Sequence, residues 1–225
     1  MRYALTTETP QYKVEATEDA TGICPGCSKN VKSYCGELNV WHWRHLIDEG
    51  CHSMYEPMTE WHKSWQDAFG AECSEVWITD GSERHAADII TPHGLVIEFQ
   101  NSAISPETIR EREAFWKRLT YSMIWVFNAE DYKNHFTFSL QPKDIKYNWN
   151  HPRKSHWEAT SFCFYDFGNH LFKMHEKPNN RGFGHFIPHD IFIRAMKAWR
   201  PKVVRNSRSN WIKGGPSYVN SNSPF

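Results

Sequence analysis

Hydrophobic and polar positions divide this chain into stretches of different character. Residues 1–20 read as polar strand and loop, and residues 22–53, dense in Cys, His, Gly and Trp, read as a loop-rich module without sustained periodicity. From about Pro57 to Phe69 the spacing predicts a helix, with Met58, Trp61, Trp65, Ala68 and Phe69 on one stripe and Gly70 suited to the C-terminal cap. "CSEVWIT" (73–79), "HAADIIT" (85–91) and "LVIEFQ" (95–100) read as strands. In "SPETIREREAFWKRL", Ser105 is a helix N-cap and Pro106 the first helical residue. "SMIWVFNA" (122–129) is apolar throughout, as a strand buried on both faces should be.

The order helix, three strands, helix, strand indicates an α/β fold. Beyond residue 135 the pattern is shorter and aromatic. "FTFSL" reads as a strand, "SFCFYDFGNHLFKMHE" as a hairpin turning at Gly168-Asn169, and "IPHDIFIRAMKAW" as a closing helix. The expected division is an N-terminal module (1–55), a core (56–135), a C-terminal hairpin and helix extension (136–210), and a Ser/Asn/Pro-rich disordered tail (211–225).

Charge adds a little. The chain has 225 residues, enough for a substantial core, and 26 basic residues balance 26 acidic ones. Composition alone therefore announces no polyanion partner. Yet no acidic residue follows Asp190, whereas Arg194, Lys197, Arg200, Lys202, Arg205, Arg208 and Lys213 do. Such a tail is usually a solubilising end, and an arm for phosphates is the alternative. No run is long enough for a signal peptide or a membrane span, so the six cysteines are read as belonging to a reducing cytoplasm. Close Cys spacings there favour metal over disulfides.

Chemistry enters with "HAADIITPHGLVIEFQNS", where Asp88 and Glu98 interrupt two apolar strands. Buried carboxylates must be paired or hold a metal. If the strands form a hairpin with a five-residue connection, Thr91 to Leu95, then Asp88 falls opposite Glu98, and Gln100 shares the face of Glu98. A four-residue loop would turn Glu98 to the other face. Oxygen ligands of this kind suit Mg2+ or Mn2+. The plainer alternative is a pair of carboxylates solvated at sheet edges.

A second cluster lies in the N-terminal module. "CPGC" (24–27) has the spacing that brings two thiolates to one tetrahedral ion, with Cys35, His42, His45 and Cys51 downstream. Structural zinc is the better reading, and a redox pair is the alternative.

"HAADIITPHGLVIEFQNSAISPETIREREAFW" closely resembles the competence protein CoiA-like family, which is similar to PD-(D/E)XK nucleases with Gln in place of the motif lysine. The resemblance runs on through Met123–Phe127 and covers the cysteine module, where "HWRH" looks like the family's His-aromatic-x-His element. It implies a DNA nuclease with a PD-(D/E)XK core, Asp88 and Glu98 as Mg2+ ligands, and Gln100 beside the attacking water. Glu60 would be a further acidic residue from the first helix, and His85 a phosphate or leaving-group contact. His62 reads as structural. For zinc, Cys24, Cys27, His45 and Cys51 are the expected ligands, with His42 and Cys35 as alternates. Arg110 and Arg112 could neutralise phosphates, as could Arg194 and Lys197, although interleaving with Glu111 and Glu113 slightly favours ordinary surface pairs for the first two. DNA is the expected partner, no membrane contact is expected, and homo-oligomerisation stays open. Gln100 cannot serve as a charged water-activating group, so a non-catalytic DNA-binding accessory protein is the other reading.

Overall fold

A computed structural model describes residues 1–37, 40–46, 51, 58–119 and 121–201. Pro57, the basic residues from Lys202 onward and the expected tail at 211–225 lie outside the described residues.

The N-terminal module is built from strands, not loops. β1 (Tyr3–Leu5), β2 (Lys13–Glu15), β3 (Thr21–Ile23), β4 (Asn30–Tyr34) and β5 (His42–His45) form an antiparallel sheet in the order β2-β1-β3-β4-β5. β4 shows why: Val31 and Ser33 are buried while Asn30, Lys32 and Tyr34 are exposed, the alternation of a strand with one wet face. The sheet curls so that its edge strands meet, the Trp43 indole N–H of β5 donating to the Val14 carbonyl of β2 at 3.0 Å. Trp43 N–H on β5 donates to the Met1 carbonyl at 2.8 Å, and the Trp43 indole is buried with Ala4, Val31 and Cys24.

Among the described residues, the rest forms one nine-stranded sheet flanked by three α-helices. α1 (Glu60–Phe69) starts at Thr59, whose hydroxyl accepts from His62 N–H, and ends at Gly70. β6 (Ser74–Asp80), β7 (Glu83–Ile90) and β8 (Leu95–Gln100) then pair antiparallel to one another in sequence. α2 (Pro106–Arg118), capped by Ser105 as expected, returns the chain so that β9 (Ser122–Asn128) lies parallel to β8. The helix–three strands–helix–strand order is therefore present in the structure.

The C-terminal part is larger than a hairpin. β10 (Phe136–Leu140), β11 (Ile145–Trp149), β12 (Phe162–Asp166), β13 (His170–Met174) and β14 (Arg181–Pro188) contribute five of the nine strands, in the overall order β10-β11-β14-β13-β12-β9-β8-β7-β6. β12 and β13 are the expected hairpin around Gly168, but β12 also pairs in parallel with β9. Core and extension thus share one sheet. α3 runs from His189 to Ala198, because Ile187 and Pro188, read from sequence as helix, still belong to β14.

Side chains on the two faces of the sheet meet different helices. Ile97 and Phe99 of β8 pack with Trp65 and Phe69 of α1 and Phe192 of α3. Val96, one residue out of phase, packs with Ile109, Phe115 and Trp116 of α2. Asp166, at the end of β12, fastens the first layer: its carboxylate accepts from Trp61, Trp65, Gly168 N–H and His189 at 2.8–3.1 Å. Burial pushes this carboxyl up, but the hydrogen bonds from His189, Gly168 and Trp61 outweigh it and hold it below the usual carboxylate range.

The two sheets are fastened by specific contacts. Glu75 of β6 accepts from the main-chain N–H groups of Arg2 and Tyr3 at 2.8 and 3.0 Å. Arg2 in turn pairs with Glu15 and with Asp67 of α1. Gly26, inside the Cys24–Cys27 turn, lies against the Trp77 ring so closely that a Cβ there would come within 2.5 Å of it.

Candidate active site and metal centre

The β7–β8 hairpin has the five-residue connection. Thr91 N–H donates to the Leu95 carbonyl at 2.9 Å, and Ile90 pairs with Val96 and Ile89 with Ile97. One step further along this register brings Asp88 to the level of Glu98, on the face that carries Val96 and Ile90. There the regular ladder gives way. Asp88 Oδ2 accepts from Phe99 N–H at 2.8 Å, so a side chain replaces a main-chain partner.

Glu98 is buried, at 2 % exposure, and is fully engaged: Oε1 accepts from Trp116 Nε1 at 2.9 Å and Oε2 from Arg112 Nη1 at 3.1 Å. Burial pushes its carboxyl up to about 8 and Asp88 adds to this, while Arg112 and Trp116 pull it down. Glu98 is therefore not a carboxylate solvated at a sheet edge. It is a buried acid under α2, with a second acid beside it.

Asp88, Glu98, His85, His62 and Arg112 line one cavity of about 570 Å3. His85 stands on its wall, its ring 4.1 Å from that of Phe115. His62 is held between the Thr59 hydroxyl (3.1 Å) and the Phe99 carbonyl (3.1 Å), which fits the structural role expected of it. Glu75 also lines the cavity and was not anticipated. It adopts φ 45° in the left-handed region, between the β6–β7 pairs Ser74–Ile89 and Val76–Ala87. The available signal was the same as for Asp88: a carboxylate set in the apolar run "CSEVWIT".

Other expected site residues are not brought to this cavity. Glu60 is exposed at the start of α1 and lines a separate recess with Arg2, Glu15, Trp41 and Lys63. The N-terminal sheet borders that recess, with Arg2 donating to the Lys63 carbonyl at 3.2 Å, which the helical angle of Glu60 alone could not reveal. Gln100 is buried, and its amide donates to the Ser102 carbonyl and hydroxyl at 3.2 and 3.4 Å, while Oε1 is buried without a hydrogen bond. Arg110 pairs with Glu107 and Glu158 on the surface, the plainer alternative, whereas Arg112 points inward to Glu98. On α3, Arg194 pairs with Asp190, and Lys197 Nζ sits 5.8 Å from the Phe69 ring centroid.

The second constellation comes together in the N-terminal sheet. Ligand atoms of Cys24, Cys27, His45 and Cys51 all lie within 4.8 Å of one another. The β3–β4 turn supplies the first two and the end of β5 supplies His45. Cys27 Sγ is 3.2 Å from His45 Nε2, and Cys24 Sγ 3.8 Å from Cys51 Sγ. Burial raises the thiols of Cys24 and Cys51, the latter to about 12, as expected for sulfurs crowded together without a cation. A Cys3His set of this kind could bind a metal such as zinc. The alternates lie elsewhere: His42 Nδ1 contacts the Val40 carbonyl at 2.9 Å, and Cys35 packs at the margin of the module's core.

Residues 59–180 match the family model described as competence protein CoiA, nuclease-like domain. The chain belongs to this CoiA nuclease-like family. The matched CoiA segment begins at the N-cap of α1, contains Asp88, Glu98 and Gln100, and runs past residue 135 to the threshold of β14. No curated protein and no solved structure matches the chain. Among the described residues, no helix is long and apolar enough to cross a membrane.

Proposed function

We propose that this chain is a metal-dependent DNA nuclease of the CoiA-like type, with a PD-(D/E)XK-type core, acting in the cytoplasm on phosphodiester bonds. The observation that carries this reading is the pairing of Asp88 with buried Glu98 at one cavity, on a hairpin whose register sets them level. The donor set fits a hard divalent cation: two carboxylates at one cavity, one of which burial drives up to about 8 despite the Arg112 guanidinium beside it. Asp88 and Glu98 would hold Mg2+ or Mn2+, and such an ion polarises a phosphoryl oxygen and lowers the pKa of bound water.

The chain's own groups have separate tasks. Phe99 N–H and Trp116 Nε1 fix the two carboxylates. Arg112 compensates Glu98 and brings a permanent positive charge to the cavity wall, where a phosphate would need one. His85 offers a second polar contact from the same wall. Gln100 supplies no charge and is bonded to Ser102 away from the cavity, so activation of water would fall to the metal held by Asp88 and Glu98. Zinc at Cys24, Cys27, His45 and Cys51 would be structural, bracing the sheet whose Gly26 rests on Trp77.

The same position of Gln100, off the cavity and bonded to Ser102, favours a second reading: a DNA-binding accessory protein that keeps the fold without turnover. Cleavage assays on single-stranded, duplex and branched DNA with Mg2+ and Mn2+ separate the two. Hydrolysis by wild type that disappears in folded Asp88→Ala and Glu98→Ala variants supports the nuclease. No hydrolysis with any divalent ion, or hydrolysis that survives both substitutions, overturns it in favour of the accessory protein.

A further inference from the structure

The outer face of the N-terminal sheet carries an arrangement that the cavity and the cysteine cluster leave unused. Lys32 of β4 lies directly opposite Arg44 of β5, and the next register pair on the same face is Tyr34 opposite His42. The Tyr34 and His42 rings stack with centroids 5.8 Å apart and planes 19° from parallel. The Arg44 guanidinium sits 5.6 Å from the Tyr34 ring centroid. Tyr34 is 42 % exposed, a large aromatic facing water from a sheet whose other face holds the module's core.

Two features make this more than a decorated surface. Like charges directly opposite one another on antiparallel strands are destabilising. Neither Lys32 nor Arg44 has an ion-pair partner among the described residues, and across β3 the register neighbour of Lys32 is the neutral Thr21. The cross-strand row Thr21–Lys32–Arg44 therefore concentrates positive charge with no carboxylate in it. Beside it stands a flat aromatic pair that burial does not require. Adjacent positive charge and exposed π-surface are what a polynucleotide strand recognises: phosphates neutralise the cations and unstacked bases lie on the rings.

We propose that this face, Lys32, Tyr34, His42 and Arg44, binds a single-stranded polynucleotide. Duplex DNA keeps its bases stacked inside the helix and would use only the two cations, so the aromatic pair argues for a single strand. The inference rests on the reading of the chain as a DNA-acting protein only for the choice of DNA as the probe. It does not require the carboxylate site to be active.

The test uses the full chain carrying Asp88→Ala, so that no cleavage complicates the titration, and a fluorescently labelled oligo-thymidine followed by anisotropy. Tyr34→Ala should weaken binding about tenfold or more, as the loss of one stacking platform does. Lys32→Glu/Arg44→Glu should lower the slope of log K against log salt by about 1.4, from two lost phosphate contacts. Duplex of equal length should lose affinity with the charge reversal but not with Tyr34→Ala. Variants that bind oligo-thymidine as wild type does would overturn the proposal. So would polyglutamate of equal charge competing as well as the oligonucleotide, which would mark the face as one for acidic proteins. Failure of the nuclease reading looks different: no cleavage by the Asp88 form of the chain, with Tyr34-dependent binding intact.

Discussion

Arg112 on the second helix and Glu98 on the strand beneath it form an ion pair 3.1 Å long, with side-chain exposures of 12 % and 2 %. Burial already drives the Glu98 carboxyl up, so removing the cation leaves it to take up a proton, and the cost is that of a buried polar group that has lost a partner, about 1–3 kcal/mol. Arg112→Met should therefore lower stability by that amount in denaturant unfolding at neutral pH. Glu98→Gln in the same chain should recover part of that loss, so the double-mutant cycle should show coupling above ~1 kcal/mol. Additive effects of the two substitutions would sink this account of the pair.

The contact between Gly26 and Trp77 makes a steric prediction. A methyl group at residue 26 would stand 2.5 Å from the indole, so Gly26→Ala forces the ring or the turn to move. Overpacking of this sort costs about 1–3 kcal/mol. The thermal midpoint should fall, and Trp77→Ala introduced alongside should make the alanine at 26 nearly neutral. An unchanged midpoint in the single variant would show that the turn does not bear on β6.

His156 gives a pH dependence of known sign. It is fully buried, stacked 3.8 Å from the Phe127 ring, and burial, with Arg153 adding, pushes its imidazole down to about 3. Unfolded, the same group titrates near 6.5. Between those values the unfolded chain binds the extra proton, so this contribution is fully present above about pH 6.5 and is lost as pH falls toward 3. Over that window His156→Phe should flatten the acid-side loss of stability by about 1.4 kcal/mol per pH unit. Urea titrations at pH 4, 5, 6 and 7 measure the slope directly. Parallel curves for the two proteins would contradict it.

Metal content tests the cysteine cluster by itself. Elemental analysis of the purified chain should find about one zinc per molecule, falling well below that in Cys24→Ser and His45→Ala. His42→Ala and Cys35→Ser should leave zinc content unchanged, since neither residue joins the four-ligand group. Stripping with a chelator should lower the thermal midpoint, because metal affinity contributes to folding.

The hairpin was legible in the sequence because loop length fixes register, and register fixes which face a carboxylate takes. The helices were legible from their stripes and from the caps Ser105 and Gly70, but not in every boundary: α1 starts at Glu60, which leaves Met58 outside it, and α3 starts at His189. The N-terminal sheet was not, since strands of three to five residues are too short for alternation to stand out from loop. β14 was missed for another reason: Gly182 and Gly184 leave two of its positions without side chains, so no alternation shows. In the fold Gly184 is there because a Cβ would meet the Lys173 carbonyl at 2.2 Å and the Phe172 ring at 2.5 Å. In the cavity, Asp88, Glu98 and His85 could be named from one hairpin. Glu75 and the inward turn of Arg112 depend on packing between elements distant in sequence. Likewise, nothing local places Glu60 at a recess bordered by the N-terminal sheet.

The parallel pairing of β12 with β9 has a practical consequence for anyone trimming this protein. A fragment ending near residue 135 would not simply lack an appendage. It would present β9, whose residues Met123 to Phe127 are all buried, as a bare edge with unpaired amides and carbonyls. Such an edge recruits other strands, and the shortened chain should aggregate where the whole one stays dispersed.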